Sequence, residues 1–86
     1  MENNGKKPTA LQLVLQKLGG KTSIMRDTLE RLQGRGIKTS KSALYQAIAG
    51  RTHRQEVVEV FLEVAEEEFE RRRQVDERAR QLIDED

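Results

Sequence analysis

The sequence TSKSALYQAIAGRTHRQEVVEVFLEVA, from Thr39 to Ala65, decides the fold of this 86-residue chain. It contains a short amphipathic helix that ends at Gly50, then a basic loop, then the start of a second, valine-rich helix. Serine and threonine, which favour helix N-caps, stand before both helices. This order predicts two consecutive helices joined by a positively charged connection.

The first of these helices is predicted over residues 41–49, with Ser40 as its N-cap and Gly50 as the residue that ends it. Its apolar residues fall within roughly 140° of arc, which is typical of a helix packed on a core. The other side of the helix is polar and able to hydrogen-bond. With the cap included, the outward polar residues are Ser40, Lys41, Ser42, Tyr45 and Gln46.

The second helix is predicted to run from residue 53 to about residue 83, because no proline or glycine follows Gly50. Thr52 and Gln55 have the spacing of a capping box at its start. Such a helix would be ~45 Å long, so a domain this small cannot cover it beyond about residue 66. Its apolar stripe spans roughly 160° of arc. The residues of that stripe are Val57, Val58, Phe61, Leu62, Val64, Ala65, Phe69, Val75, Ala79, Leu82 and Ile83.

Two further helices are predicted nearer the N-terminus. One covers residues 9–18, where the apolar residues Leu11, Val14, Leu15 and Leu18 recur at i, i+3, i+4 and i+7. The segment before it, residues 1–7, has no periodicity and is predicted to be a disordered basic arm. The lysines of this arm either touch a phosphate backbone or keep the chain soluble.

The other helix covers residues 24–33. Ser23 is its predicted N-cap, and the glycines at Gly34 and Gly36 are predicted to stop it. Its apolar positions fall within roughly 140° of arc, so the sequence predicts another helix that packs one face on the core.

Charge is divided unevenly along the chain, although the net charge at pH 7 is only +1. Residues 1–54 contain eleven basic and three acidic residues, which gives +8. Residues 55–86 contain five basic and twelve acidic residues, which gives −7. A basic half of this kind attracts polyanions, and an ordinary solvated surface is the alternative interpretation.

The composition argues against several classes of protein. The chain has no cysteine, which excludes disulfides and thiolate metal sites and suits a reducing compartment. No apolar run is long enough for a membrane span or a signal peptide, so we expect a cytoplasmic protein.

Nothing in the sequence indicates catalysis. His53 is the only histidine, which leaves no zinc-binding pair and no catalytic triad. Gly34 and Gly36 lack the preceding strand that a nucleotide-binding glycine loop requires. We therefore expect no enzyme activity, no cofactor and no metal.

Basic and hydroxyl-bearing residues surround the predicted helix 41–49. A helix that reads the major groove needs polar side chains pointing away from the core, and its flanking loops need groups that contact phosphates. The residues predicted to read bases are Ser40, Lys41, Ser42, Tyr45 and Gln46. The residues predicted to contact phosphates are Lys21, Thr22, Ser23, Lys38, Thr39, Arg51, Thr52, His53 and Arg54. Taken one at a time, each basic residue is also explained by solvation.

Three features of residues 24–65 occur together. Leu29 and Leu32 lie in the first helix, SKSALY at 40–45 leads into IAGR at 48–51, and VVEVFLEVA follows at 57–65. This combination resembles the helix-turn-helix of the lambda-repressor-like (Cro/repressor, Xre-type) DNA-binding domains, and it is similar to small phage and bacterial regulators of that group. The resemblance implies an all-α domain, operator binding through helix 41–49, and dimers on palindromic sites.

Two features depart from the family's pattern. The connection from Leu32 to Ser40 is longer than the family's tight turn, with residues 34–37 added. The last predicted helix is also far longer than the family usually shows. The first departure changes what can be expected of the angle between the two helices of the motif. The second changes what can be expected of the geometry of a dimer.

The last part of the chain, residues 66–86, carries its own apolar stripe. Arg72 and Asp76 occupy heptad positions along it and make a poor coiled-coil seam. The stripe still needs a covering surface, and we predict a second copy of the chain, antiparallel or crossing. A solvated single helix with i, i+4 Glu–Arg pairs and docking to another protein are the alternatives. The predicted dimerisation residues are Phe69, Val75, Ala79, Leu82 and Ile83.

The sequence therefore predicts an all-α chain with an arm at 1–7, a helix-turn-helix DNA-binding domain at 8–65 and a dimerising helical extension at 66–86. The predicted function is sequence-specific binding of double-stranded DNA by a homodimeric transcription regulator, in particular a repressor. Two other functions stay open. One is a protein-interaction module, such as an antitoxin or adaptor, that uses the acidic helix. The other is an architectural DNA-binding protein without site preference.

Overall fold

The structure is a computed structural model, and it describes residues 8–19 and 23–84. These ranges contain four α-helices and no strand. The helices are α1 (Ala10–Leu18), α2 (Ile24–Gly34), α3 (Lys41–Ile48) and α4 (Gln55–Asp84). The predicted all-α fold with a long C-terminal helix is confirmed. Within the described ranges, no helix combines the length and the apolar character needed to cross a membrane.

The core forms where the first half of α4 packs against α1, α2 and α3. Each helix contributes apolar side chains to it, as its periodicity predicts. Thr28 is the one fully buried polar residue within the described chain, and its hydroxyl donates to the Ile24 carbonyl at 2.7 Å, which satisfies it inside α2. The largest fully buried apolar side chains are Leu18, Leu32, Leu44, Ile48, Val57, Val60 and Phe61.

Helix α1 lies at the edge of this core. Of its four predicted core residues only Leu18 is fully buried, and the other three pack against the core while half-exposed. Its start is fixed by Thr9 and Gln12, which form a capping box in which each side chain bonds the other's backbone. The Thr9 hydroxyl also donates to the Ile48 carbonyl at 2.7 Å, so the start of α1 is held against the end of α3.

Helices α2 and α3 end in the same way. Gly36 has a φ of +78°, and the Ile37 N–H behind it donates to the Leu32 carbonyl at 2.9 Å. Gly50 has a φ of +80°, and the Arg51 N–H donates to the carbonyl of the residue five positions earlier at 2.9 Å. Both are Schellman motifs, in which glycine adopts the left-handed conformation that other residues avoid. The predicted stops at Gly36 and Gly50 are confirmed, whereas Gly34 is the last residue of α2 and does not stop it.

Ser23 occupies the N-cap position of α2, as predicted, but its side chain does not cap the helix. The backbone of Ser23 has φ −81° and ψ 10°, not the extended conformation in which a cap side chain reaches the first free N–H groups. Its hydroxyl instead donates to the Asp27 carboxylate at 3.1 Å.

The predicted capping box of α4 is wrong. The helix begins at Gln55, so Thr52 lies in the preceding loop, too far from the first turn to cap it. The Gln55 side chain donates to Glu59 at 3.1 Å rather than back toward Thr52. The Arg54 carbonyl closes the first turn by accepting backbone N–H groups from within α4.

Helix α4 has 30 residues and runs unbroken, as predicted, so it is ~45 Å long. Its first half is buried down to Ala65, and this half includes Val60, which the predicted stripe omitted. Its second half projects beyond the domain and is exposed almost throughout. The last polar link between the two parts is Arg72, whose Nη2 donates to the Leu18 carbonyl at the end of α1 at 2.8 Å.

Candidate nucleic-acid interface

Helix α3 presents a polar face to the surface. Its other face is anchored by Leu44 and Ile48, which are fully buried, and its first turn is capped by the Ser40 hydroxyl, which accepts from the Ala43 N–H at 3.0 Å. Of the residues predicted to read bases, all but one are exposed, and Gln46 is half-buried. The exposed residues are Ser40, Lys41, Ser42 and Tyr45.

The loop that leaves α3 extends this face. The Schellman turn at Gly50 directs the chain outward, and Arg51, Thr52 and His53 are all exposed directly behind it. A Cβ added at Gly50 would meet Thr9 at an ordinary contact distance of 3.5 Å, so the turn depends on the positive φ and not on lack of space.

The loops on the two sides of α3 are connected. The Arg54 guanidinium donates to the Lys38 carbonyl at 3.2 Å and lies 3.6 Å from the Glu56 carboxylate. These two contacts of Arg54 therefore hold the loop 35–40 next to the start of α4. The side chain of Lys38 itself stays exposed. The cations of both loops consequently flank the same helix.

Two predicted phosphate contacts lie elsewhere. The Thr39 hydroxyl oxygen is buried without a hydrogen-bond partner, so it faces the interior and not the surface. Ser23 is exposed at the start of α2, but its hydroxyl is bonded to Asp27, whose negative charge would repel a phosphate. The predicted contacts at residues 21 and 22 lie outside the described residues.

Two arginines of the basic half form ion pairs within the protein and do not belong to the candidate interface. Arg31 bonds Glu67 through two nitrogens at 2.8 Å each, and Arg35 bonds Glu63 at 2.6 and 3.2 Å. These bonds tie α2 to α4 across the surface of the domain. Hydrogen bonds from Arg35 lower the pKa of the Glu63 carboxyl, and those from Arg31 lower the pKa of Glu67. Sequence inspection missed this network because its partners lie about thirty residues apart and carry no local signal.

The remaining cations near α3 form a patch that has no carboxylate partners. Between Glu30 and Glu56 the sequence has six lysines and arginines and no acidic residue. Three of the six, Arg31, Arg35 and Arg54, are paired with carboxylates of α4. In the part of the chain that the structure describes, Lys38, Lys41 and Arg51 form no ion pair, in contrast to the arginines of α2. These three cations sit before, on and after α3, which surrounds its polar face with uncompensated positive charge.

The surface offers little to a small ligand. A groove of about 530 Å³ lies between α2 and α4 and is lined by six charged side chains together with Ile24 and Val64. Four of these charged side chains are carboxylates and two are arginines, so the groove is negatively charged and does not suit a polyanion. No cluster of three or more potential metal ligands occurs within residues 8–19 and 23–84. The outward face of α3 is therefore the strongest candidate site, and the ligand it suits is an extended polyanion.

Comparisons with protein-family models, with curated proteins and with solved structures found no match to this chain. Fold and function have to be argued from its own residues.

Proposed function

We propose that the protein binds double-stranded DNA site-specifically, as a homodimeric transcription regulator that acts as a repressor. The observation that carries this proposal is the exposed polar face of α3, bordered by loops whose free cations have no carboxylate partner. A recognition helix needs this arrangement, because bases are read by polar side chains and phosphates by the flanking cations. The resemblance to lambda-repressor-like domains supports the same assignment.

In this proposal the side chains along α3 contact the bases. Lys41 can donate to guanine O6 and N7, and Gln46 can pair with adenine N6 and N7. Tyr45 is 46% exposed and can contact a thymine methyl group or a phosphate. Ser40 and Ser42 lie at the N-terminal end of the helix, which is the end that enters the groove in helix-turn-helix proteins.

Phosphate contacts fall to Lys38 before the helix and to Arg51 and His53 after it. They fix the register on the duplex and supply the salt-dependent part of the affinity. Arg54 assists by holding the two loops together through the Lys38 carbonyl. The longer connection between α2 and α3, which spans residues 35–40, gives the first loop room to carry its lysine.

The test begins with selection of bound duplexes from a random DNA pool, using the full chain at near-physiological salt. We expect an enriched palindromic motif whose half-site spacing reflects the dimer. Replacing Tyr45 and Gln46 together with alanine should then weaken binding to the selected site more than to random DNA. Equal loss on both kinds of DNA would remove the base-reading assignment.

A matched pair of arginines separates phosphate binding from structure. Arg51→Gln should weaken binding to all sequences and reduce the salt slope of log Kd by about 1, as loss of one phosphate contact does. Arg35→Gln removes an arginine too, but that arginine is bound to Glu63, so the salt slope should stay unchanged. Identical slopes for the two variants would contradict the assigned roles.

A protein-interaction module, such as an antitoxin or adaptor, is the second candidate. The observation in its favour is the exposed second half of α4, in a region with twelve acidic and five basic residues. It predicts weak, sequence-blind DNA binding. An architectural DNA-binding protein would bind DNA with a steep salt slope and select no motif.

A further inference from the structure

The second half of α4 leaves the domain with an apolar stripe exposed. Phe69 is 36% exposed, and Val75, Leu82 and Ile83 are 55%, 70% and 69% exposed. The stripe also contains two charged residues, Arg72 and Asp76, at positions that a helix–helix seam would cover. What covers the stripe has to accommodate both charges.

Heptad spacing places Phe69, Asp76 and Ile83 at one kind of seam position and Arg72 and Ala79 at the other. In a parallel pair in register, each residue meets its own copy. Arg72 would face Arg72 and Asp76 would face Asp76, which makes two like-charged layers in the centre of the seam. A parallel arrangement is therefore disfavoured.

We propose that this segment pairs with the same segment of a second copy in antiparallel orientation, with Gln74 at the twofold axis. In the centre of the seam, the residues n positions before Gln74 face those n positions after it, from Phe69 to Ala79. Ile83 lies beyond this overlap, because the residue opposite it would be Ala65, which is buried in its own domain. Arg72 then faces Asp76 of the second copy, and Phe69 faces its Ala79. The two charged residues that disfavour a parallel seam therefore form ion pairs across the antiparallel one. Phe69, the largest side chain of the seam, packs against Ala79, the smallest.

Arg72 is already positioned for this contact. Its Nε donates to Glu68 at 2.7 Å, and its Nη2 donates to the Leu18 carbonyl at 2.8 Å. These two bonds fix the guanidinium plane and leave both Nη1 hydrogens for a further carboxylate. Among the described residues, Asp76 pairs only with Arg80 of its own helix, at 3.1 Å. Both side chains are largely exposed, so the other carboxylate oxygen of Asp76 can accept from a second copy.

The edges of the seam agree with the same register. Residues at the edges of the seam, unlike those in its centre, contact the partner residue on the same edge. Val75 therefore lies beside the axis close to Val75 of the second copy, and Glu66 comes close to Arg80 of the second copy. Arg73 lies near its own counterpart, but each Arg73 is bound to Glu70 of its own helix. The pairing is closed and isologous, so it stops at two copies. It deepens the homodimer of the proposed function, but it does not depend on DNA binding.

The test compares two charge reversals at adjacent residues in the full chain. Asp76→Arg places like charges in the seam, whereas Glu77→Arg makes the same charge change on the outward side of the helix. Sedimentation equilibrium should show the wild-type dimer, a dissociation constant raised by at least ~10-fold for Asp76→Arg, and little change for Glu77→Arg. Equal effects of both variants, or a monomeric wild type at high protein concentration, would overturn the proposal.

Orientation is tested by cysteine cross-linking, which is clean because the chain has no cysteine of its own. Val75→Cys lies at the axis and should form an intermolecular disulfide on mild oxidation. Ala79→Cys should not, because the two copies of residue 79 lie ~15 Å apart along antiparallel helices. Efficient cross-linking of Ala79→Cys would show a parallel pair and refute the register.

The outcomes separate this inference from the proposed function. If Asp76→Arg dissociates the dimer while the wild type selects no DNA motif, the antiparallel pairing stands and the DNA-binding function fails. If the wild type is monomeric but selects a half-site, the pairing fails and DNA binding stands.

Discussion

The two halves of α4 share one helix and one apolar periodicity, but their surroundings are opposite. Val57 and Phe61 are 0% exposed, whereas Val75 and Leu82 are 55% and 70% exposed. At 100° per residue these four side chains lie on the same side of the helix. The difference shows that helical periodicity selects the side that can be buried, while the presence of another element opposite it decides whether burial happens.

The largest expected effect comes from truncating one side chain in each half. Phe61→Ala should lower the free energy of unfolding by ~3–5 kcal/mol, because it leaves a cavity at the meeting point of the helices. Leu82→Ala should cost less than ~0.5 kcal/mol at protein concentrations where the chain is monomeric. Urea denaturation followed by circular dichroism measures both. A large cost for Leu82→Ala in dilute solution would mean that the projecting half folds back on its own domain.

A smaller effect is expected at the boundary between the halves. Arg72→Met removes the hydrogen bond to the Leu18 carbonyl and the pair with Glu68, and it should cost ~1 kcal/mol. Arg73→Met is the matched control, because Arg73 bonds only within α4, to Glu70, and is 66% exposed. It should cost less than ~0.5 kcal/mol. Equal losses of stability in urea denaturation would show that Arg72 does not couple the projecting half to α1.

The smallest effect concerns pH and the ion pairs that join α2 to α4. Arg35 and Arg31 lower the pKa values of Glu63 and Glu67 from the ordinary value of 4.5. The unfolded chain therefore binds more protons in this range, so this stabilisation is complete above about pH 5 and is lost as pH falls through the lowered values.

Thermal denaturation between pH 3 and pH 7 measures this dependence. Replacing Arg31 and Arg35 together with glutamine should flatten part of the pH profile. A residual slope is expected, because Arg71 and Arg72 lower the pKa of Glu68 in the projecting half as well. An unchanged profile in the double variant would show that the α2–α4 pairs contribute nothing measurable to stability.

The sequence alone was sufficient to predict the four helices and the outward polar face of α3. Apolar spacing placed all four helices and glycines marked the ends of α2 and α3, because both signals are local. The same spacing predicted that Ser40, Lys41, Ser42 and Tyr45 point away from the core, and the structure leaves all four exposed.

What the sequence did not reveal depends on tertiary contacts. Ser23 makes no capping bond from the N-cap position of α2, and Thr52 does not cap α4, because a capping side chain works only with one backbone conformation at one position, which composition does not specify. Thr9 and Gln12 carried a valid capping-box signal that was overlooked. Arg31 and Arg35 were counted among the eleven basic residues of 1–54, and only the fold brings α4 carboxylates to them. The dimer and the DNA contacts stay predictions.

Tyr45 gives the candidate site an intrinsic fluorophore. The chain has one tyrosine and no tryptophan, so fluorescence excited at wavelengths that phenylalanine does not absorb comes from a single ring on the outward face of α3. A molecule that covers this face should change the emission intensity without any added label. Association through the far end of α4 should leave it unchanged, so one unmodified sample reports which end of the protein is occupied.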